Sequence, residues 1–239
     1  MTPMPRAPGA ELMDQPGVAP AELDQGLTDL RRVNRWLGGT RTALQAAMPA
    51  VREVGASEVR VLDVATGSGD IPLALARAAR REGIRIRILA TDLHPETVAM
   101  ARRNLAGESG IEVARADALA LPFDAGEFHV AMVNTALHHF DEDEARRLLM
   151  QLARVASHAV VVTDLARSRS ALVGVALLAY TFWRRHPVTH HDSLVSIRSA
   201  YTVPEAVRLA RDAGLPAPEA RRHPFFRFSL VSRVGEGGA

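Results

Sequence analysis

Three acidic residues, each following an aliphatic run, are the groups of this chain best placed for chemistry: Asp63, Asp92 and Asp117. Val59-Arg-Val-Leu-Asp-Val64 is β-branched and aliphatic, carries Asp63, and breaks into a turn containing Gly67 and Gly69. Glycines in such a turn let a ligand approach the backbone where a side chain would block it. A second run, Ile84 to Ala90, ends in Thr91-Asp92, 23 residues after Gly69. A carboxylate at that strand tip can accept two hydrogen bonds from ribose hydroxyls. A third run, Ile111 to Arg115, precedes Asp117-Ala118. In open α/β sheets ligands bind at the carboxyl ends of the strands, so the pattern predicts a nucleotide-like cofactor over the first turn.

Around these residues the hydrophobic pattern alternates between strand-like and helix-like segments from residue 59 to 164, which predicts a parallel sheet. His158 to Thr163 reads as its fifth strand, closing at Asp164. A helix from Pro204 to Ala213 stops at Gly214, and Glu219–His223 with Phe226–Val231 reads as a closing strand pair. Upstream, Leu27, Leu30, Val33, Trp36 and Leu37 recur at helical steps, with a break at Gly38-Gly39. The first twenty residues, rich in Pro, Gly and Ala, read as a disordered arm. The expected organisation is therefore an arm (1–20), a helical cap (21–54) and an α/β domain (55–239) with an insertion at about 166–200. Within the insertion, Ala171 to Trp183 is apolar for 13 residues. That is short of the ~20 that cross a bilayer, so it is expected to be a buried or pocket-lining helix, followed by a polar loop.

The order of acids and glycines, with Asp117-Ala118, Leu121-Pro-Phe123 and Phe128-His-Val-Ala-Met-Val133, resembles the class I S-adenosylmethionine-dependent methyltransferases from about Val59 to Thr163. The resemblance implies a Rossmann-like, doubly wound, mostly parallel seven-stranded sheet whose last strand is antiparallel. It also implies S-adenosyl-L-methionine as cofactor. By motif position Asp63, Ala65, Gly67 and Gly69 surround its methionine and ribose, and Asp92 takes the ribose hydroxyls. Leu93, Asp117 and Ala118 border the adenine, and Asn134 borders the sulfonium. Two departures stand out. The family's first glycine is Ala65, which keeps the turn provided residue 65 needs no positive φ. The fourth strand ends in Asn134-Thr-Ala-Leu-His-His139 rather than an acid followed by Pro-Pro, a variant of small-molecule methyltransferases.

A nicotinamide dinucleotide is the alternative cofactor, for an NAD(P)-dependent oxidoreductase. Its fingerprint wants a third glycine where this chain has Pro72, and Asp63 and Asp70 would repel a pyrophosphate. For the acceptor, His139 after strand four and His191 in the insertion are the expected bases, because imidazole titrates near neutral pH. His190, His191 and Asp192 are suitable metal-ligand types, but adjacent ligands cannot close a site, and no metal is expected. The segments Leu30–Gly39 and His191–Thr202 are similar to bacterial methyltransferases of polyketide, phenolic-lipid or quinone pathways. That similarity implies a small, apolar phenolic or polyketide-type acceptor and O-methylation, with C-methylation of a quinone-type ring as the alternative. If the cap covers the cleft, Arg35 or Trp36 is expected to touch this acceptor.

Composition narrows the setting. The chain has no cysteine, so no disulfide or thiol site exists and a cytoplasmic location is the default expectation. A net charge of +2 spread along the chain does not predict nucleic-acid binding. No signal peptide or membrane span is expected, and nothing in the sequence fixes an oligomeric state.

Overall fold

The computed structural model describes residues 4–15 and 18–235. Its centre is one seven-stranded sheet built from β1 (Val59–Val64), β2 (Ile86–Asp92), β3 (Ile111–Arg115), β4 (Phe128–Asn134), β5 (Ala156–Leu165), β6 (Glu219–His223) and β7 (Arg227–Arg233), in the order β3-β2-β1-β4-β5-β7-β6. The strands β1 to β5 are parallel, and β7 runs antiparallel to β5 and to β6. From β1 the chain winds outward through β2 and β3, then returns to place β4 on the other side of β1. That reversal opens a crevice at the carboxyl ends of β1 and β4, where ligands bind in doubly wound folds. The expected Rossmann-like architecture, with its antiparallel last strand, is the one observed.

Helices cover both faces of the sheet, so its central strands are buried on both sides and read as continuous apolar runs. Val61, Ile88, Val130, Met132 and Val161 pack on α2 (Gly39–Glu53) and α3 (Asp70–Arg81). Residues of the opposite parity, among them Leu62, Val133, Val160 and Val162, pack on α5 (Glu142–Val155) and α8 (Val203–Asp212). The last two helices begin in capping boxes, Asp141 with Glu144 and Thr202 with Glu205, which satisfy backbone N–H groups that no turn of helix can reach. The helix α4 (Pro95–Asn104) joins β2 to β3. Gly69 forms the sharp corner between β1 and α3. Its φ is +80° and an added Cβ would stand 2.7 Å from Leu105 Cδ1, so both conformation and space require glycine.

The cap is two helices, α1 (Pro20–Trp36) and α2, parted at the predicted break. It lies on the crevice side: Asn34 Nδ2 donates to Asp70 Oδ2 at 3.1 Å. Trp36, however, points into solvent at 71% exposure, so the structure corrects the expected contact of Trp36 with an acceptor.

Two further expectations are corrected. The polar half of the insertion is not a loop but α7 (Pro187–Ser199), which starts on Pro187 and pins His186 Nδ1 and Thr189 to Asp29 of α1. The apolar half is α6 (Arg169–Thr181), capped by Ser168, but it is neither buried nor pocket-lining. Only Ala171 and Ala179 are buried, while Leu172, Val175 and Leu178 are half-buried and Val173, Leu177 and Tyr180 face outward. Periodicity cannot tell a core face from an outer one when nearly every position is apolar.

The disordered-arm expectation is corrected for residues 4–15. This stretch crosses α7 and the loop after β4, ending in a short 3₁₀ turn at Leu12–Asp14. Arg6 donates to the carbonyls of Ser199 (2.6 Å) and Phe140 (2.8 Å) and lies 4.0 Å over the Tyr201 ring. The N–H groups of Leu12 and Met13 donate to the buried carboxylate of Asp192 at 2.7 and 3.0 Å. Low hydrophobicity argued for disorder, and these polar contacts supply the order instead. Residues 1–3 and 16–17 of the expected arm lie outside the described residues.

Candidate active site

The crevice at the switch point is lined by acids. Asp63 is fully buried near the end of β1, where Thr66 Oγ1 donates to its Oδ2 at 2.6 Å and Asn134 Nδ2 to its Oδ1 at 2.9 Å. Asn134 is itself oriented by Thr163 Oγ1, which donates to its Oδ1 at 2.8 Å. Asp92 accepts from the N–H of Gly67 at 3.0 Å and of His94 at 3.2 Å. Asp70 accepts from Ser68 and Asn34. Every donor to these three carboxylates is neutral. Burial, reinforced by Asp70 and Asp92, pushes Asp63 up to about 7, and burial raises Asp70 and Asp92 as well. A buried group of carboxylates held by neutral donors suits a cationic ligand.

The turns that frame the crevice are strained. Ala65 after β1 has φ +53° and Thr135 after β4 has φ +51°. The proviso that residue 65 needs no positive φ therefore fails, and an alanine occupies a left-handed position that favours glycine. Such residues persist where their surroundings hold them, and they cluster at ligand sites. At the outer rim, Leu93 is half exposed after β2. Asp117 follows β3, capping its own turn by accepting from Leu119 N–H at 2.8 Å, and Ala118 beside it is buried.

A second group of residues gathers just beyond Asn134, where the loop after β4 forms a 3₁₀ turn at Leu137–His139. His138 is buried. Its Nδ1 lies 2.7 Å from Asp164 Oδ1, its N–H donates to Asp164 Oδ2 at 2.9 Å, and its Nε2 is 3.3 Å from Glu11 Oε1. Burial opposes the charge, but Asp164 and Glu11 outweigh it and hold His138 at about 10, an imidazolium at neutral pH. Burial likewise opposes the charge of Glu11, yet the two histidines bring it down to about 2, and Ser196 Oγ donates to it. His139 stacks at a tilt on His138, with ring centres 4.5 Å apart. Its Nδ1 is 2.7 Å from Asp14 Oδ2, and its Nε2 has Glu11 no nearer than 3.9 Å. Burial and His138 disfavour its protonation, while Glu11 and Asp14 favour it and raise its pKa overall. A cavity of about 260 Å³ opens here, lined by Glu11, Asp14, His138, His139 and Ser199 among others.

The structure thus brings Asp63, Ala65, Gly67, Gly69, Asp92 and Asn134 around one crevice, with Leu93, Asp117 and Ala118 at its edge. It places His139 at a separate cavity next to that crevice. His191 stands half exposed on α7, its Nδ1 2.9 Å from Asp192 Oδ1, and it is not among the residues lining the cavity. Glu11, Asp14 and Asp164 were not singled out by the sequence as site residues. The signal that could have found the first two is Glu11-Leu-Met-Asp14, two acids in an arm otherwise almost free of charge.

Comparison with known proteins decides the family. Residues 61–158 match the family of methyltransferase domains. A demethylmenaquinone methyltransferase of Thermus thermophilus is 32% identical over 167 residues, 67% of this chain and 69% of that protein. The chain belongs to the class I S-adenosylmethionine-dependent methyltransferases. A protein of the same description from Clavibacter sepedonicus is 31% identical over 148 residues, and the match spans 61% of this chain but only 56% of that relative. Among solved structures, an S-adenosylmethionine-dependent methyltransferase from Aquifex aeolicus superposes with a TM-score of 0.63 at 18% identity, covering 90% of this chain and 98% of its own. S-adenosyl-L-methionine is the cofactor, and the nicotinamide alternative falls away. Among the described residues no helix is long and apolar enough to cross a membrane.

Proposed function

We propose that this methyltransferase acts on a small, apolar, hydroxyl-bearing aromatic acceptor seated in the cavity of His138 and His139. The observation that carries the reading is the histidine pair itself. Two stacked imidazoles, each with its Nδ1 against a carboxylate, border a cavity one short loop beyond Asn134.

When bound, the cofactor supplies a methyl group on an electrophilic sulfonium. The buried carboxylates fit its positive charge. In this reading Asp63, Asn134 and the backbone of Ala65, Gly67 and Gly69 enclose the methionine end. Asp92 takes the ribose hydroxyls with the acceptor capacity left on its two oxygens, and Leu93, Asp117 and Ala118 border the adenine. In-line displacement then asks the protein chiefly to hold the acceptor atom about 3–3.5 Å from the methyl carbon.

The two histidines take different parts. Both nitrogens of His138 face carboxylates, so it stays an imidazolium whose N–H groups are spent on Asp164 and Glu11, and its part is to fix the arm and the ring of His139 rather than to meet the acceptor. His139 Nε2 has room for a new partner and, when neutral, accepts the acceptor's hydroxyl proton while Nδ1–H donates to Asp14. From the resulting phenolate two outcomes follow. Attack by oxygen gives a methyl ether, the expectation from sequence. Attack by the neighbouring ring carbon forms a carbon–carbon bond as the methyl–sulfur bond breaks and S-adenosylhomocysteine leaves, as it does in the first outcome. The ring then loses its hydrogen as a proton to water and regains aromaticity. The relatives named for demethylmenaquinone favour a quinone-type ring and so the second outcome. His191 serves to orient Asp192, which holds the arm. The reading is tested by incubating the protein with trideuteromethyl-labelled cofactor and a panel of phenols, hydroquinones, amines and carboxylates, then locating the label by NMR. Label on a ring carbon or a ring oxygen supports the reading and separates its two outcomes. Transfer confined to amine or carboxylate acceptors overturns it.

A further inference from the structure

Large apolar side chains stand in solvent along the outer face of α6. Val173, Leu177 and Tyr180 follow one another at successive turns with exposures of 70%, 67% and 64%, and Phe182 at the helix end reaches 74%. On the inner face Ala171 and Ala179 are buried beside the half-buried Val175 and Leu178, and a Cβ on Gly174 would stand 3.1 Å from the Phe226 ring. The exposed face does not stop at α6. Phe225 and Phe226 form the tip of the β6–β7 turn and are exposed, with φ of +58° and +56°, a backbone region that bulky residues avoid. Phe225 in turn lies against Gly38, next to the exposed Trp36. One apolar surface therefore runs from the end of α1 across the β6–β7 turn to α6. Contiguous exposed apolar surface of this kind marks an interaction site.

Charge says what covers it. From Leu165 to His191 the chain has four arginines and no acid, and the same holds from Ala220 to Val234, although Arg167 and Arg227 are buried and Arg233 pairs with Glu53. Arg169, Arg184 and Arg185 are exposed at the two ends of α6, and Arg35 lies beside Trp36 with its guanidinium 5.4 Å from the ring. Exposed apolar and aromatic side chains flanked by arginines suit the headgroup layer of an anionic bilayer, the flanking arginines supplying the polar contacts that α6 itself lacks. A second copy of the chain would set arginine rim against arginine rim, which is repulsive.

We propose that the α6 face docks this protein on an anionic lipid surface. The face is linked to the acceptor cavity through α7. Its His190 ring meets Tyr180 edge-on at 4.8 Å, and its Asp192, Ser196 and Ser199 hold the arm. On the proposed function, docking there brings α7, the helix that holds the arm over the acceptor cavity, close to the layer in which an apolar ring compound partitions. The contact is peripheral, since α6 has 13 residues and a span needs ~20.

Co-sedimentation with phosphatidylglycerol and phosphatidylcholine vesicles, together with light scattering of the free protein, tests the proposal. The intact protein is expected to pellet with phosphatidylglycerol, to release as salt rises, and to bind phosphatidylcholine far more weakly. Arg184→Gln with Arg185→Gln should weaken partitioning on the order of tenfold or more. Leu177→Asp with Phe182→Asp should abolish it while binding of S-adenosylhomocysteine stays intact. The last readout separates a lost docking face from a lost fold, and none of these measurements depends on the acceptor. The proposal is overturned if the intact protein stays with neither vesicle or if the aspartate variant still binds. It is also overturned if the free protein is a dimer that the aspartate variant splits, since the face then belongs to a second copy.

Discussion

Glu11 and His138 face one another across 3.3 Å, and the imidazole between Glu11 and Asp164 ties the arm to the end of the sheet. The pair titrates in opposite directions. His138 is raised from its ordinary 6.5 to about 10, so its stabilising contribution is complete below 6.5 and fades as pH climbs through 10. Glu11 is lowered from 4.5 to about 2, so its contribution is complete above 4.5 and fades as pH falls through 2. The arm should be held most firmly between about pH 4.5 and 6.5. Hydrogen exchange of residues 4–15 across the pH range checks this. Protection that is flat with pH, or unchanged in Glu11→Gln, would show that the clamp does not hold the arm.

Asp63 gives the cofactor crevice its own pH dependence. Buried and raised to about 7, it is charged only above that pH, when it can favour a sulfonium. Affinity for S-adenosylmethionine should rise as pH goes from 6 to 8, about tenfold per unit on the acid side, and affinity for the uncharged thioether product should rise less. Asp63→Asn should flatten the difference. Asp92→Ala, by contrast, should weaken both ligands at every pH by roughly 10- to 100-fold, the loss of hydrogen bonds to a charged acceptor. Calorimetry with the two ligands distinguishes the roles, and an unchanged affinity in Asp92→Ala removes Asp92 from the ribose site.

Turnover should separate the histidines. His139→Ala is expected to lower kcat by about 10²- to 10⁴-fold, the range of general-base catalysis, with cofactor affinity within about twofold. In the intact protein kcat should rise with pH through a value above 6.5, because His139 acts as a base only after losing its proton. His191→Ala should leave the pH profile in place. A full-rate His139→Ala enzyme would leave positioning alone as the mechanism.

Two neighbouring turn residues should respond to substitution with opposite signs. Ala65 at φ +53° carries a left-handed cost of about 1–2 kcal/mol that glycine lacks, offset in part by the freer unfolded chain. Ala65→Gly should therefore gain about 0.5–1 kcal/mol, roughly 1–4 °C in Tm. Gly69→Ala should lose about 1–3 kcal/mol, because it adds the same backbone cost to a collision with Leu105. Thermal denaturation of the two variants decides between them.

The parts of this protein legible in its sequence are those where a local pattern carries the physics. Asp63, Gly67, Gly69 and Asp92 are tied to strand ends a few residues away, and the strands announce themselves by β-branched runs, so the fold and the place of these residues at the carboxyl ends of its strands could be read together. The acceptor cavity could not. Glu11 meets His138, and Asp14 meets His139, only because α7 and the loop after β4 bring distant segments together. Their one local hint is that they stand together in an arm otherwise almost free of charge, and that hint does not name their partners. The α6 helix failed for another reason: where Leu172 through Leu178 are all apolar or glycine, only the tertiary structure decides which side faces water.

The arm's contacts also impose an order on biosynthesis. Arg6 meets Ser199 across 193 residues, and Leu12 meets Asp192 across 180. The arm leaves the ribosome long before the helix it will touch, and these contacts must wait until α7 has been made. The crevice between β1 and β4 can close while translation is still under way, whereas the chamber of His138 and His139 is completed only after synthesis has passed α7. A chain stalled short of that helix would lack Asp192, Ser196 and Ser199, and with them every anchor that α7 offers the arm.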